Sequence, residues 1–276
     1  MSWYGGKYYL VKKLVELIPR HDVYVEVFGG GAHLLFEKDP FISKLEVYND
    51  IDEGLVNFFR VLRDEKKAKK LVKMVYLTPY SRKEYFYCRD NWRNCEDEVE
   101  RAYEWYVAVR QVFASVLGKK SGWRYSLQDR QNVMTWINNV DRLVRAIERL
   151  KLVQVECLDF RELIRRYDSE RTFFYCDPPY VMSTRKMKKA YEYEMDDKDH
   201  EDLIEILLRI KGKAMLSGYE NDLYRRLEEN GWVKRYFETV CHSQKRIGER
   251  RDERVEVVWM NYDIEKESKG MQVKIF

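Results

Sequence analysis

Seven apolar runs of strand length, most of them separated by helical patterns, limit this chain to one architecture. The runs are VYVEVF (23–28), KLEVY (44–48), VQVEC (153–157), TFFYC (172–176), KAMLS (213–217), VKRYFETV (233–240) and VEVVWMN (255–261). Helical periodicity falls over 8–18, 53–62, 160–167, 199–210 and 220–229. Parallel strands need long crossovers, so strands alternating with helices predict a mostly parallel α/β sheet covered on both faces. The last two runs have no helix between them and predict an antiparallel hairpin.

One interval breaks the rhythm. About a hundred residues separate KLEVYNDID from the next strand-like run. They contain VERAYEWYVAVRQVFASVL (99–117) and QNVMTWINNVDRLVRAIERL (131–150), both amphipathic at helical spacing. We read residues 58–150 as a helical insertion, with GKKSGWRYSLQDR (118–130) as an exposed loop or hairpin. This interval holds 20 Lys/Arg against 12 Asp/Glu, whereas the rest of the chain holds 31 against 35. A basic insert in a mildly acidic frame suits a polyanion, although a charged helical surface without a partner has the same composition.

Other classes fall away. No run of eighteen apolar residues suggests a membrane span, and no signal peptide precedes the first motif. The five cysteines form no CxxC pair and fit structural thiols in a reducing compartment. The four histidines form no HExxH or other ligand cluster, so no metal site is expected.

Four short motifs carry the chemistry. In VEVFGGGAHLLFE (25–37) a strand runs into Gly29, Gly30 and Gly31 and then a helix. Such a turn lets the backbone approach a ligand and aim free N–H groups at it. Its spacing fits neither the dinucleotide nor the triphosphate fingerprint. In VYNDID (47–52), Asp50 ends the next strand, about twenty residues on, where an acid can accept both hydroxyls of a ribose. Asp52 suits the cap of the following helix. The two elements together describe an adenosine-containing cofactor without a pyrophosphate.

The third motif is Asp177-Pro178-Pro179-Tyr180, directly behind TFFYC. Two prolines hold an extended turn whose carbonyls no local helix can consume. Asp177 and the carbonyl of Pro178 offer two acceptors beside the flat face of Tyr180, a cradle for a planar amino group such as a nucleobase amine. The fourth is WYGGKYYL (3–10), where Lys7 near a helix start makes a positive environment suited to a carboxylate and Trp3 an apolar wall.

Taken together, these residues resemble the Dam-like, alpha-group DNA adenine methyltransferases over nearly the whole chain and in the family's order. WYGGK is similar to the N-terminal cofactor motif, FGGGA (with Phe28) to the FxGxG loop, and YNDID to the ribose-binding strand end. CLDF (157–160) resembles the motif whose acid meets the cofactor's adenine, DPPY is similar to the catalytic signature, and VEVVWMNY to the closing strand. The resemblance implies a Rossmann-like class I S-adenosylmethionine-dependent methyltransferase fold, with a seven-stranded, mostly parallel sheet. Residues 1–57 and 151–276 would form the catalytic domain and 58–150 an inserted target-recognition domain. S-adenosylmethionine would be held by Trp3, Lys7, Phe28, Gly29, Gly30, Gly31, Asp50, Asp159, Phe160 and Asp177. Catalysis would lie with Asp177, Pro178, Pro179 and Tyr180. The implied partner is double-stranded DNA met by a monomer in the cytoplasm of a bacterial, archaeal or phage-infected cell, with no membrane and with a cognate restriction endonuclease left open. The hairpin lacks the longer pattern of a GATC reader, so a target sequence does not carry over.

The chemistry agrees with that implication. Adenine's amino lone pair is delocalised into the ring, and accepting its protons at Asp177 and Pro178 would localise it for direct attack on a sulfonium methyl. A stacked base cannot reach the turn, so it must be flipped out. In the insert, Lys119, Lys120, Arg124 and Arg130 surround Trp123 and Tyr125, a mixture suited to phosphates and to a groove or vacated base position. Cytosine amino methylation, adenine in RNA and a catalytically silent DNA-binding module are the rival readings. A silent copy need not keep Asp177, Tyr180, Lys7 and Asp50.

Overall fold

The computed structural model describes residues 7, 9–113, 117, 121–185, 193–240 and 253–267; Trp3, Lys119 and Lys120 lie outside these. In chain order the strands are β1 (Val23–Glu26), β2 (Leu45–Asn49), β3 (Val153–Glu156), β4 (Thr172–Cys176), β5 (Lys213–Gly218), β6 (Val233–Val240) and β7 (Glu253–Met260). They form one sheet in the order β3-β2-β1-β4-β5-β7-β6. Strands β1 to β5 are parallel, and β7 runs antiparallel to both β5 and β6. The predicted parallel sheet and closing hairpin are both present.

Side-chain alternation divides the sheet into two cores. Tyr24, Tyr48, Phe173, Tyr175, Met215, Val258 and Met260 point to one side. Val25, Val47, Phe174, Cys176, Ala214, Leu216, Val257 and Trp259 point to the other. The second side is covered by α8 (Phe160–Tyr167), α9 (Asp197–Leu207) and α10 (Arg225–Glu229). Every residue of β4 is buried, the pattern of a strand covered on both faces.

The first side is covered by α1 (Val11–Val15), α2 (His33–Glu37) and the helices between β2 and β3. Those are α3 (Glu53–Arg63), α4 (Glu65–Leu77), α5 (Arg82–Asn91), α6 (Glu98–Gln111) and α7 (Gln131–Leu150). Asp52, Asp64, Ser81 and Asp97 cap α3 to α6 by accepting first-turn N–H groups. Asp52 is therefore the cap that its position predicts. Helix α3 crosses the expected 57/58 boundary. Its Phe59 meets Tyr48 of the sheet at 4.7 Å, while Phe58 stacks on Tyr106 of α6 at 5.2 Å. Sheet face and inserted helices thus share one apolar cluster. At the far end, Arg149 of α7 donates from Nη1 and Nη2 to the two oxygens of Glu46 in β2, at 2.5 and 2.7 Å, and Lys38 pairs with the same carboxylate.

Three predicted helices are shorter than their periodicity; the one expected over 220–229 is regular only over Arg225–Glu229. Instead of continuing to 117, α6 stops at Gln111, because its end is diverted into a hairpin. Val112 pairs with Trp123 in an antiparallel bridge, the Arg124 N–H donates to the Gln111 carbonyl at 2.8 Å, and the Trp123 indole N–H donates to Gln111 Oε1 at 2.9 Å. The first helix, expected over 8–18, is regular only over Val11–Val15. Beyond it the Leu17 and Ile18 N–H groups bond three residues back rather than four.

Candidate active site

The strand order reverses between β1 and β4, and in such sheets the crevice at the carboxyl ends of those two strands is where ligands bind. A cleft opens there. Glu26 to Gly31 line it from β1, Asn49 to Asp52 from β2, Leu158 to Arg161 from the end of β3, and Asp177 and Pro179 from β4. Lys7 lines it from the N-terminal segment, and Trp105 and Val109 of α6 form a wall from the inserted helices.

Close packing shapes the glycine turn. A Cβ on Gly29 would lie 2.0 Å from the Tyr48 ring, so only glycine fits there. Gly30 has φ 47°, a conformation glycine adopts without strain, and Ala32 follows at φ 54°. The Tyr48 hydroxyl donates to the Gly30 carbonyl at 2.8 Å. Asp50 closes the turn from the other side, with Oδ2 accepting the Gly30 N–H at 2.7 Å and Oδ1 the Asp52 N–H at 2.8 Å. Burial raises the Asp50 carboxyl, while those N–H groups oppose the rise. Asn49 cross-links three loops by donating to the Val27 and Leu158 carbonyls and accepting the Leu158 N–H.

Behind β3, Asp159 caps α8 by accepting the Arg161 N–H at 2.8 Å. Phe160 is buried against Phe28, 5.6 Å between ring centres. The Arg161 guanidinium lies 4.3 Å from the centre of the Phe160 ring and reaches Asp199 and Asp202 at 2.6 and 2.7 Å.

The fourth wall is the Asp177–Tyr180 turn. Lys7 pairs directly with Asp177 across 170 residues of sequence, and its ammonium lies 4.8 Å from the Tyr180 ring centre. The ammonium that sequence reading assigns to a cofactor carboxylate is engaged by a carboxylate of the protein. Burial raises the Asp177 carboxyl, and the Lys7 charge pulls it back towards ionisation. Tyr180 donates its hydroxyl to Glu256 Oε2 at 2.6 Å and meets Tyr219 edge-on at 4.6 Å. The preceding Cys176 is buried and its thiol is pushed up by desolvation, the opposite of an activated nucleophile.

The sequence model of the D12 class N6 adenine-specific DNA methyltransferases matches residues 3–241. The chain belongs to that family. It is 26% identical to the type II methyltransferase M.MjaIII of Methanocaldococcus jannaschii over 95% of this chain and 98% of the relative. It is 24% identical to the DNA adenine methylase of Vibrio cholerae over 82% of this chain and 83% of that protein. It also matches the DNA N-6-adenine-methyltransferase of Escherichia phage P1, at 23% identity, over 65% of this chain and 23% of the phage protein. The molecule is thus an adenine-specific DNA methyltransferase on the class I, S-adenosylmethionine-dependent fold.

In this methyltransferase Lys7, Phe28, Gly29, Gly30, Gly31, Asp50, Asp159, Phe160, Asp177 and Pro179 converge on one cleft. Its donor set fits S-adenosylmethionine: a glycine turn with no room for a side chain at Gly29, an acid at the end of β2, and an aromatic pair beside Asp159. The hairpin residues form a separate group. Trp123 and Tyr125 stack at 6.2 Å, with the Arg82 guanidinium 5.0 and 5.2 Å from their ring centres. Arg124 turns inward, its Nε donating to the Val112 carbonyl at 3.1 Å, and Arg130 is exposed just before α7. Among the described residues no cluster of His, Cys, Asp and Glu could hold a metal ion, and no helix is long and apolar enough to cross a membrane.

Sequence reasoning missed two buried acids. Glu26 is 2% exposed in the cleft floor, accepts the Tyr24 hydroxyl and the Leu35 N–H at 2.8 and 3.0 Å, and is pushed up to about 8 by desolvation. Glu256 is the second. Each is the lone acid in an apolar run, VYVEVF and VEVVWMN, and that anomaly was the available signal.

Proposed function

We propose that methyl transfer takes place at the Asp177–Tyr180 turn, on an adenine flipped out of duplex DNA, by direct attack and without a covalent enzyme intermediate. The observation that carries this reading is the Lys7–Asp177 pair, which sets a carboxyl acceptor beside an ammonium at the edge of the cleft that the glycine turn lines. Asp177 and the Pro178 carbonyl accept the two amino protons of adenine, Pro179 keeps the turn extended, and Tyr180 offers a ring on which the base stacks. Asp50, the Gly29–Gly31 turn, Phe28, Asp159 and Phe160 hold S-adenosylmethionine, with Trp3 outside the described residues. The bound molecule supplies an electrophilic sulfonium methyl. Lys7 draws Asp177 towards ionisation against the burial that raises its carboxyl, which favours a charged acceptor when the amine arrives.

On the same reading residues 58–150 recognise the target. Support comes from α6, whose Trp105 and Val109 line the cleft, and from the Trp123–Arg82–Tyr125 stack, which leaves an ordered aromatic and cationic edge. We assign DNA contacts also to the exposed Arg130 and to Lys119 and Lys120, which lie outside the described residues, whereas the Arg124 Nε is taken by the Val112 carbonyl. The type II name of the Methanocaldococcus relative favours a restriction–modification setting with a companion endonuclease. Sequencing modified bases in an expressing strain identifies the target. A duplex with 2-aminopurine at the target adenine then reports unstacking as a fluorescence rise on binding. Unchanged fluorescence from a tightly bound duplex would overturn base flipping.

A further inference from the structure

Glu256 is a carboxylate in a row of buried apolar residues, Val257 to Met260, and is itself only 3% exposed. Because β7 runs antiparallel to β5, its first residues lie at the edge where the parallel strands end. The last β5–β7 pair is Gly218 with Val257, so Glu256 sits level with Tyr219, just past the end of β5. Both of its oxygens are used. Oε2 accepts the Tyr180 hydroxyl at 2.6 Å and Oε1 the Tyr9 hydroxyl at 3.2 Å. A buried carboxylate is costly unless strong donors take its lone pairs. Among the described residues the donors here are two tyrosines, one in the acceptor turn and one two residues beyond Lys7.

We propose that Glu256 is a positioning residue for the acceptor site, fixing the orientation of the Tyr180 ring and tying the Asp177–Tyr180 turn to the N-terminal segment. This rests on the reading of that turn as the place where adenine is bound. An unrestrained phenol ring would have to be ordered each time a base stacked on it. The charge-assisted bond to Glu256 and the edge contact with Tyr219 set the ring beforehand. Tyr9 brings Lys7 under the same constraint, so the pairing of Lys7 with Asp177 and the orientation of Tyr180 are held by one carboxylate.

The test compares Glu256→Ala, Glu256→Gln, Tyr180→Phe and the double variant Tyr180→Phe/Glu256→Ala in single-turnover methyl transfer to unmethylated duplex DNA. Loss of ring placement should lower the transfer rate by about 10- to 100-fold, with S-adenosylmethionine affinity within a few-fold of wild type. Glu256→Gln retains an acceptor oxygen and should recover most of the rate. The double variant should be no slower than the slower single one, because both changes cut the same tether. A wild-type rate in Glu256→Ala, or rate losses that multiply in the double variant, would overturn the proposal. If Glu256→Ala does not fold, Tyr180→Phe decides alone: it deletes the tether and keeps the ring, and full activity sinks the idea. Asp177→Ala is the control for the underlying reading, which fails if that variant is active whatever Glu256 does.

Discussion

Replacing Lys7 with methionine removes an ammonium and keeps an apolar stem of similar length. The partner is Asp177, whose side chain is 19% exposed against 4% for Lys7. Two unit charges about 4 Å apart at an effective dielectric of about 20 interact by about 4 kcal/mol. Partial exposure of Asp177 lets water screen some of this, so the carboxyl should rise by less than the full interaction would give. The sign follows from the balance at the site: burial raises Asp177, Lys7 is the largest influence against it, and its loss leaves only the weaker Tyr175 hydrogen bond opposing burial. The ionised carboxylate is the form that accepts amino protons. Methyl transfer by Lys7→Met should therefore be depressed on the acid side and recover as pH rises, its acid limb displaced upward. Single-turnover rates across a pH series measure the limb directly. A profile that superimposes on wild type, or moves to lower pH, would refute the electrostatic role. A loss that is uniform in pH and tracks weakened S-adenosylmethionine binding would return Lys7 to a cofactor carboxylate.

Two further outcomes test the cleft. Glu26 has its carboxyl raised from 4.5 to about 8, so the folded state holds a proton that the unfolded state releases in that window. Stability should fall as pH rises from 4.5 to about 8, and Glu26→Gln should flatten the decline in urea unfolding; an unchanged pH dependence would count against the buried acid. Gly29→Ala places a Cβ 2.0 Å from the Tyr48 ring, which should cost on the order of 1–3 kcal/mol and weaken S-adenosylmethionine binding. Denaturation and calorimetry check both effects, and a wild-type result in each would mean that the turn tolerates a side chain.

The sheet was legible because its strands are short apolar runs with helical patterns between most of them, and because no helical pattern falls between the last two runs. The insert was legible as helical but not as to its contacts. The periodicity of α3 marks an apolar face without saying what meets it, and Phe58 and Phe59 turn out to meet α6 and the sheet respectively. Periodicity also ran on past Gln111, since an apolar residue at helical spacing reads the same whether it packs in a helix or, like Val112, enters a hairpin. In the site, the glycine turn, Asp50 and the Asp177–Tyr180 turn carried recognisable local chemistry. The Lys7–Asp177 pair did not, because partners 170 residues apart leave no spacing to read. Glu256 escaped for the same reason: its meaning lies in Tyr180, 76 residues away, and in a strand order, with β7 between β5 and β6, that sequence alone does not give.

The central claim is that Asp177 accepts the amino group of adenine during methyl transfer, and substitution of Asp177 itself tests it most directly. In folded Asp177→Ala, S-adenosylmethionine affinity should stay within a few-fold to moderate loss of wild type, and single-turnover transfer to target DNA should fall by roughly 100-fold or more. Near-wild-type transfer by that variant would contradict the account.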